Sequence, residues 1–407
     1  MVRRPLRWFL AATCALTGCS ALIDIKDIQF DPTATPGVGD GGTDGPSSTE
    51  GGPGDGGTEG ASCVADTMTD TKNCGRCNHG CLGGTCTAGV CQAVELASVA
   101  NAPMSHVAVS EQHVFASTSI TMSFEAGGVW RIPKAGGAPE LYSPLRYSEA
   151  MAVVGNTLYF VVDDLIKDGT PEKTGGFYSC PVTGPAPCTP TLIAPAESPR
   201  AITVDKGRIL YGDRGAGKGL MAYSPPAAPV VFRDGFGALS SYFVDGPVAY
   251  YGVTTSNPPA AKVFEIFTDG GFDEKFVYGN AHAQGGRLAG NANEVFFTAY
   301  DDQDNTPGVV RRVPRAVGAP CNIGGTTVKR PYGIYIDGTR VYWTNLGDGA
   351  AEPYTNGGLM SCEQAGCCTT PKTMWTGDGQ PEGITGDADA IYFVTRTKGS
   401  VWKIAKP

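Results

Sequence analysis

The chain has 407 residues, 14 cysteines, 17% charged residues and a formal net charge of −9 at pH 7. An acidic chain of this kind argues against nucleic acid and anionic lipid as partners, because both carry the same sign of charge. The charge and the cysteine content together favour a protein that works outside the cytoplasm, in an oxidising compartment.

The first 18 residues have the form of a secretory signal peptide. Three arginines precede an apolar run from Trp8 to Leu16, and this run is too short to span a membrane. The sequence LTGC that ends at Cys19 resembles the bacterial lipobox, which implies cleavage before Cys19 and a lipid on that cysteine. Ser20 follows, which in lipoproteins of two-membrane bacteria implies transfer to the outer membrane. The alternative is an ordinary secretory signal.

Residues 19–62 are predicted to be the lipid anchor and a flexible linker. From Asp31 to Ser62 the chain consists mainly of Gly, Thr, Pro, Ser and acidic residues, and it contains no basic residue. Such a segment lacks the apolar side chains that a core needs. We therefore expect a disordered tether.

Residues 63–91 contain six cysteines at short intervals, which predict a small disulfide-rich module. So short a segment cannot form a hydrophobic core without cross-links. Zinc binding and a redox CxxC are the alternatives, but the two-knuckle ligand pattern and the βαβ context that they need are missing. The spacing resembles the Cys-Gly modules of myxobacterial-type surface lipoproteins, and three disulfides allow fifteen pairings. The cysteines are Cys63, Cys74, Cys77, Cys81, Cys86 and Cys91.

Residues 92–407 contain a seven-fold repeat, most easily seen in a short apolar and aromatic stretch such as Val341-Tyr342-Trp343. Each copy follows an aliphatic strand and precedes a polar loop, a glycine and another apolar strand. The middle residues of the seven copies, 40 to 51 residues apart, are Phe115, Tyr159, Leu210, Tyr250, Phe296, Tyr342 and Tyr392. Four short strands at this period predict an all-β fold, a seven-bladed β-propeller of four-stranded antiparallel blades.

Two further expectations follow from the propeller. The aromatic residues of each second strand should fill the space between neighbouring blades. The seventh repeat ends at Pro407 after only three strands, so residues 93–99 (AVELASV) should supply its outermost strand and close the ring. The repeat resembles YWTD- and NHL-type propellers, although Asn345 stands where the YWTD pattern has Asp. This resemblance covers the fold and implies no functional residues.

The loops between second and third strands, together with those between blades, should form one face of the disc. We predict this face as the binding surface, with mixed charge. A calcium ion held by an acidic loop is an alternative to a simply solvated loop, although the loop lacks the EF-hand pattern. The face residues are Asp163, Asp164, Arg200, Arg330 and Asp348, and the calcium candidates are Asp301, Asp302 and Asp304. We identify no catalytic or cofactor-binding motif.

Six more cysteines belong to the propeller. Cys180 and Cys188 flank one hairpin and are expected to pair. Cys321, Cys362, Cys367 and Cys368 are expected to form two more disulfides, without a bond between the adjacent last two.

The sequence thus predicts a lipid-anchored propeller of the cell envelope, held at the outer membrane, that binds a protein, peptide or glycan without catalysis. The first alternative is a propeller enzyme, a lyase or a metal-dependent hydrolase, with its site on the acidic loop face. Convergent histidines or carboxylates near the axis would favour the enzyme, and a mixed-charge or aromatic face would favour binding. A purely structural envelope role is a third possibility.

Overall fold

The computed structural model describes residues 66–407, apart from residues 119–126, 164, 168–169, 173–174, 216–217, 235–240, 257–258, 267–271, 280–282, 302–307, 317–318, 326–327, 350–353 and 366–369. The described residues belong to one compact unit that extends from Ser62 to Pro407. The predicted signal peptide, lipidated Cys19, the linker and Cys63 lie outside them. Within these ranges no helix is long and apolar enough to cross a membrane.

The N-terminal module is a small hairpin held by disulfides. Strand β1 (Cys86–Thr87) pairs with β2 (Val90–Cys91). Disulfides join Cys74 to Cys86 and Cys81 to Cys91, and Cys77 is also disulfide-bonded. Because these sulfurs are committed to disulfides, the zinc and redox interpretations of the CxxC are not supported.

Thirty further strands build seven antiparallel sheets and one small hairpin. Strand β3 (Val94–Ser98) precedes the first blade. Blade 1 contains β4 (Met104–Val109), β5 (His113–Thr118), β6 (Val129–Pro133) and β7 (Glu140–Ser143). Blade 2 contains β8 (Ser148–Val154), β9 (Thr157–Val162), β12 (Gly176–Pro181) and β13 (Thr191–Pro195), with the hairpin β10 (Leu165–Lys167) and β11 (Thr170–Glu172) between its second and third strands.

The next three blades follow the same order from the innermost strand outward. Blade 3 contains β14 (Arg200–Asp205), β15 (Arg208–Gly212), β16 (Gly219–Tyr223) and β17 (Val230–Asp234). Blade 4 contains β18 (Ser241–Asp245), β19 (Val248–Ser256), β20 (Pro259–Ile266) and β21 (Phe272–Gly279). Blade 5 contains β22 (Ala283–Gly290), β23 (Glu294–Asp301), β24 (Val309–Pro314) and β25 (Cys321–Asn322).

The last two blades complete the ring. Blade 6 contains β26 (Pro331–Ile336), β27 (Arg340–Asn345), β28 (Gly357–Glu363) and β29 (Lys372–Gly377). Blade 7 contains β30 (Pro381–Gly386), β31 (Ala390–Thr395) and β32 (Ser400–Ala405), with β3 as its outermost strand. The predicted fold class, a seven-bladed propeller of four-stranded blades, is confirmed.

The ring is closed as the sequence predicts. Strand β3 pairs antiparallel with β32, which places Val94 opposite Lys403. The innermost strand of each blade contacts those of both neighbouring blades, including β30 of blade 7 with β4 of blade 1. The two ends of the propeller sequence are therefore hydrogen-bonded to each other within one sheet.

The aromatic residues of the second strands fill the space between blades. Trp343 is completely buried in a cluster with Phe296 of the preceding blade. Its neighbour Tyr342 points to the other side of the sheet and packs with Ile391 and Phe393 of the following blade. Alternate side chains of a strand point to opposite faces, so one stretch serves two interfaces. The predicted packing role of these residues is confirmed.

In blades 6 and 7, an aspartate at the turn between the first and second strands holds the tyrosine of the second strand. Backbone amides of the turn donate to Asp337 Oδ1, and the hydroxyl of Tyr342 donates to Asp337 Oδ2 over 3.0 Å. Asp387 and Tyr392 repeat the arrangement with the same 3.0 Å distance. The polar end of each buried tyrosine is thereby satisfied.

The turn aspartates of blades 4, 6 and 7 also join each blade to the next one through ion pairs. In each case a lysine or arginine that follows the third strand of the next blade forms an ion pair with the aspartate carboxylate. The pairs are Lys406 Nζ to Asp337 Oδ2 at 3.2 Å, Lys134 Nζ to Asp387 Oδ2 at 2.5 Å and Arg315 Nη1 to Asp245 Oδ2 at 2.6 Å. Burial alone would raise the pKa of Asp387, but Lys134 and the turn amides outweigh it, so the pKa lies below its usual value.

We expect Asp387→Asn to lower the melting temperature at neutral pH and to weaken the acid sensitivity of the fold. The pKa of Asp387 is lower in the folded state, so its stabilisation is complete above about pH 4 and is lost as the pH falls through the folded value. Thermal unfolding from about pH 7 down to pH 3 measures both effects. The exposed neighbour substitution Asp389→Asn is the control, and equal behaviour of the two variants would contradict the ion-pair role.

Candidate functional site

The innermost strands are irregular at the end where each of them begins. A β-bulge interrupts the pairing of the first and second strands in six blades, and only blade 4 pairs without one in the described part of the chain. Since all seven innermost strands run in the same direction along the axis, the bulges encircle one end of the channel. They lie between Met104 and His106, Ser148 and Ala150, Arg200 and Ile202, Gly285 and Leu288, Pro331 and Ile334, and Pro381 and Ile384. Bulges re-aim side chains and are common beside functional sites.

A buried hydroxyl on the second strand ties each of two bulges to the next blade. In blade 6, the amide of Gly333 donates to Thr344 Oγ1 and the Thr344 hydroxyl donates to the carbonyl of Glu382, both over 2.9 Å. In blade 5, Thr298 Oγ1 accepts a hydrogen bond from the backbone amide of Arg287. The Thr298 hydroxyl donates to the backbone carbonyl of Tyr332 over 2.6 Å. Both threonines are completely buried.

Glycines at the bulges allow the blades to approach this closely. A Cβ atom added at Gly333 would lie 2.1 Å from the carbonyl oxygen of Glu382. One added at Gly383 would lie 2.6 Å from the carbonyl oxygen of Ser105, across the seam between blades 7 and 1. Any side chain at these positions would force neighbouring innermost strands apart.

Backbone strain is also concentrated at this end of the ring. Tyr147, Arg330 and Gln380 each precede an innermost strand, and their φ angles are +58°, +44° and +55°. Ala201, inside the bulge of β14, has a φ of +48°. Non-glycine residues seldom adopt this conformation, and when they do they are often found at functional sites.

Six polar residues at the bulges of the innermost strands define the channel mouth. One comes from each blade except blade 4, and three of them, His106, Arg287 and Glu382, line the cavity at the axis. The six are His106, Glu149, Arg200, Arg287, Tyr332 and Glu382.

The acidic residues of the mouth are balanced by arginines. Arg200 binds Glu149 and, over 3.0 Å, Asp163 Oδ2. Arg396 Nη1 lies 3.3 Å from Glu382 Oε1. Burial raises the pKa of Glu149 even though Arg200 opposes the shift. Ion pairs of this kind offset the cost of removing charges from water, and breaking one leaves a charge buried without compensation.

Arg287 and Tyr332 form a second unit beside these pairs. The guanidinium carbon of Arg287 lies 5.3 Å from the centre of the Tyr332 ring, and Arg287 Nη2 is 3.5 Å from the tyrosine hydroxyl. Arg287 lowers the pKa of Tyr332, but burial and the carboxylates of Glu382 and Glu149 outweigh it, so the pKa is raised. Tyr332 is therefore influenced by both carboxylates as well as by Arg287.

His106 is neutral at physiological pH in this environment. Burial, with the nearby charges of Arg287 and Arg200, holds the pKa of His106 well below its usual value. The imidazole keeps one N–H donor and one nitrogen acceptor in this state.

The mouth opens into a cavity of about 190 Å³ that innermost strands of all seven blades line. Ser105 lies on its wall, is only 5% exposed, and its Oγ has no hydrogen-bond partner within the described residues. Buried hydroxyls normally have partners. The combination of convergent charges, a neutral histidine and an unsatisfied hydroxyl makes this cavity the candidate functional site.

The structure separates the face residues that the sequence suggested. It brings Asp163 and Arg200 together at the mouth. Arg330 is 2% exposed and donates to the carbonyls of Gly347 and Gly349, so it supports a loop instead of facing solvent. Asp348 pairs with Lys329, with 3.5 Å between Asp348 Oδ1 and Lys329 Nζ.

Several predicted residues fall outside the described part of the chain. Asp164, Asp302 and Asp304 are not described, nor is the side chain of Asp301, so the calcium prediction remains a prediction. Cys180 and Cys188 form a disulfide. Cys321 and Cys362 are also disulfide-bonded, whereas Cys367 and Cys368 lie outside the described residues.

Most residues of the mouth were missed at the level of sequence, although a signal was present. Pro331-Tyr332-Gly333 and Pro381-Glu382-Gly383 share a Pro-X-Gly pattern directly before the aliphatic part of an innermost strand. Proline, a polar residue and glycine in succession fit the start of a bulge better than a regular strand. His106 and Arg287 have no comparable pattern.

Comparisons with known proteins establish the fold. No protein-family model matches the sequence, and no curated protein matches it. The structure is similar to virginiamycin B lyase from Staphylococcus aureus, with a TM-score of 0.53 and 14% identity over 78% of this chain and 99% of that one. A catalytically inactive variant of that lyase with quinupristin gives 0.51 and 12% over the same shares. A xyloglucanase from Xanthomonas campestris gives 0.51 and 13%, over 77% of this chain and 53% of that one.

We expect Gly333→Ala to destabilise the propeller by about 1–3 kcal/mol, the usual cost of overpacking a tight interior. The added methyl group would collide with the carbonyl of Glu382 and strain the Thr344 hydrogen bonds. Gly338→Ala is a matched control in the same blade, because a Cβ added there meets no atom within 4 Å. Denaturant unfolding compares the two, and an unchanged stability of Gly333→Ala would refute the close-approach argument.

Proposed function

We propose that this chain is a lipid-anchored binding protein of the bacterial cell envelope, and that the channel mouth is its binding site. The observation that carries the proposal is that innermost strands of all seven blades line one cavity, whose lining includes His106, Arg287, Glu382 and the unsatisfied hydroxyl of Ser105. Charges paired within a rigid ring are preorganised for recognition, because little must be reordered when a ligand binds. The ligand class is a protein, peptide or glycan of the cell surface.

The sequence and the disulfides support the envelope location. The LTGC sequence that ends at Cys19 resembles a lipobox, and the linker would hold the propeller away from the outer membrane. The disulfides at Cys74–Cys86, Cys81–Cys91 and Cys180–Cys188 suit an oxidising compartment.

A propeller enzyme is the second candidate, and one observation favours it. Neutral His106 lies beside the cationic Arg287 at the axis, an arrangement in which an imidazole can accept a proton and a guanidinium can stabilise a developing anion. A lyase is among the structures of similar fold. The ion pairs of Glu149 and Glu382 favour binding over catalysis, because both carboxylates are already paired with arginines.

We expect Thr203→Trp to abolish ligand binding, since Thr203 lines the cavity and an indole would fill it. Thr191→Trp, on the exposed outermost strand of blade 2, is the matched control. The full chain is screened on arrays of bacterial surface peptides and glycans, and bound ligands are then recovered for mass spectrometry. Ligands that depend on an open cavity and are recovered unchanged support binding, while chemically altered ligands identify an enzyme. Absence of any ligand sensitive to Thr203→Trp would refute the site.

The lipid anchor predicts that the protein incorporates a fatty-acid analogue during growth of the bacterium. Cys19→Ser should abolish the labelling, because the thiol of Cys19 is the proposed attachment atom. A labelled Cys19→Ser protein would show that the lipid is attached elsewhere, and an unlabelled wild-type protein that is still secreted would show an ordinary secretory signal.

A further inference from the structure

We propose that the channel mouth binds an uncharged sugar unit at the end of a surface glycan, with Ser105 and His106 as its hydrogen-bonding residues. This inference rests on the proposed function and specifies the chemistry of the same site. A peptide ligand and a charged sugar are the outcomes that the test separates from it.

The charges of the mouth balance one another, which favours a ligand without charge. Among the described residues, the mouth and its ion-pair partners hold three arginines and three carboxylates, and Arg287 also acts on the carboxylate of Glu149. A charged ligand would lose its hydration here without gaining a counter-charge, and that loss is costly. The six groups are Arg200, Arg287, Arg396, Glu149, Asp163 and Glu382.

Two residues of the cavity wall have hydrogen-bonding groups that the protein itself does not use. Ser105 is 5% exposed, and its Oγ has no partner within the described residues. The ring of His106 forms no hydrogen bond in the same part of the chain. The serine hydroxyl can donate and accept, and the neutral imidazole has one donor and one acceptor. A ligand that satisfies both must itself donate and accept, as a hydroxyl group does at a single atom.

The arrangement of the lining favours a sugar over a peptide. Residues with polar side chains line the cavity in five of the seven blades, so they surround the axis. A sugar ring has hydroxyl groups around its edge, whereas an asparagine or glutamine side chain has polar atoms only at its tip. The cavity is about 190 Å³, smaller than the roughly 300–1,000 Å³ of sites that enclose a whole drug-sized ligand, so it suits one terminal unit. The polar lining residues include Ser105, His106, Thr203, Ser241, Arg287 and Glu382.

The test is a calorimetric titration of the full chain with sugars that differ mainly in charge. The methyl glycosides of glucose, galactose and mannose are uncharged. The corresponding uronic acids carry a carboxylate, and the 2-amino sugars carry an ammonium group at slightly acidic pH. We expect saturable binding of at least one uncharged sugar in the millimolar range or tighter. Its two charged counterparts should bind about tenfold more weakly or worse, because each brings an uncompensated charge into the mouth.

Variants connect this binding to the mouth. Ser105→Ala should weaken the uncharged sugar about two- to tenfold, the usual effect of one hydrogen bond. It should leave the melting temperature unchanged, because the Ser105 Oγ has no partner within the described residues. Loss of stability with unchanged affinity would instead show a structural role. Ser224→Ala removes an exposed hydroxyl from blade 3 and is the matched control.

A charge variant tests the balance itself. Glu382→Gln removes one of the three negative charges and should shift the selectivity toward the uronic acid by about tenfold, because hydrogen bonds to charged groups are the stronger class. Thermal unfolding checks that each variant folds, and Ser105→Ala carries the test alone if Glu382→Gln does not fold.

Defined outcomes overturn the inference. Lack of saturable binding by every uncharged sugar, equal or tighter binding of a charged counterpart, or wild-type affinity in Ser105→Ala would each do so. If the array ligands that Thr203→Trp abolishes are peptides, the channel mouth is a binding site and the sugar assignment is wrong. If no array ligand responds to Thr203→Trp, the proposed function itself fails.

Discussion

The close approach of the seven innermost strands is the constraint on which the rest of this structure depends. Neighbouring blades meet where a bulge, a buried threonine hydroxyl and a backbone carbonyl of the next blade come together, as at Thr344 and Glu382. The backbone of the next blade leaves no room for a side chain at Gly333 or at Gly383. The carbonyl and the amide are both buried, so each needs a hydrogen-bond partner. The threonine hydroxyl accepts from the amide and donates to the carbonyl.

The same constraint creates the site. A bulge adds a residue that the ladder does not pair, and it changes the direction of the side chains there. Glu149, Tyr332 and Glu382 are such residues, and they occupy the mouth because the ring holds their backbones in place. Stability at the opposite end comes from other groups, the turn aspartates and the cations of the following blade. The proposed binding site and the ion pairs between blades therefore lie at opposite ends of the disc.

The N-terminal module adds support where the ring is joined. Its buried cysteines pack against Ala405 at the end of β32, and His79 Nε2 lies 2.6 Å from the carbonyl oxygen of Lys406. Strand β32 also pairs with β3, which follows the module directly. The module thus covers the blade in which the two ends of the propeller sequence meet, and the disulfides supply the rigidity that so few apolar residues cannot.

The sequence by itself determined the repeat, the number of blades, the closure by residues 93–99 and the packing role of stretches such as Val341-Tyr342-Trp343. These depend on local alternation and on spacing along the chain, which can be read without coordinates. The channel mouth was decided by tertiary structure alone. Arg287 and His106 are 181 positions apart, and their proximity depends on ring closure and on bulges that shift side chains by one position. No local pattern encodes which seven strand ends will share an axis, so the charges that meet there emerge only when the ring closes.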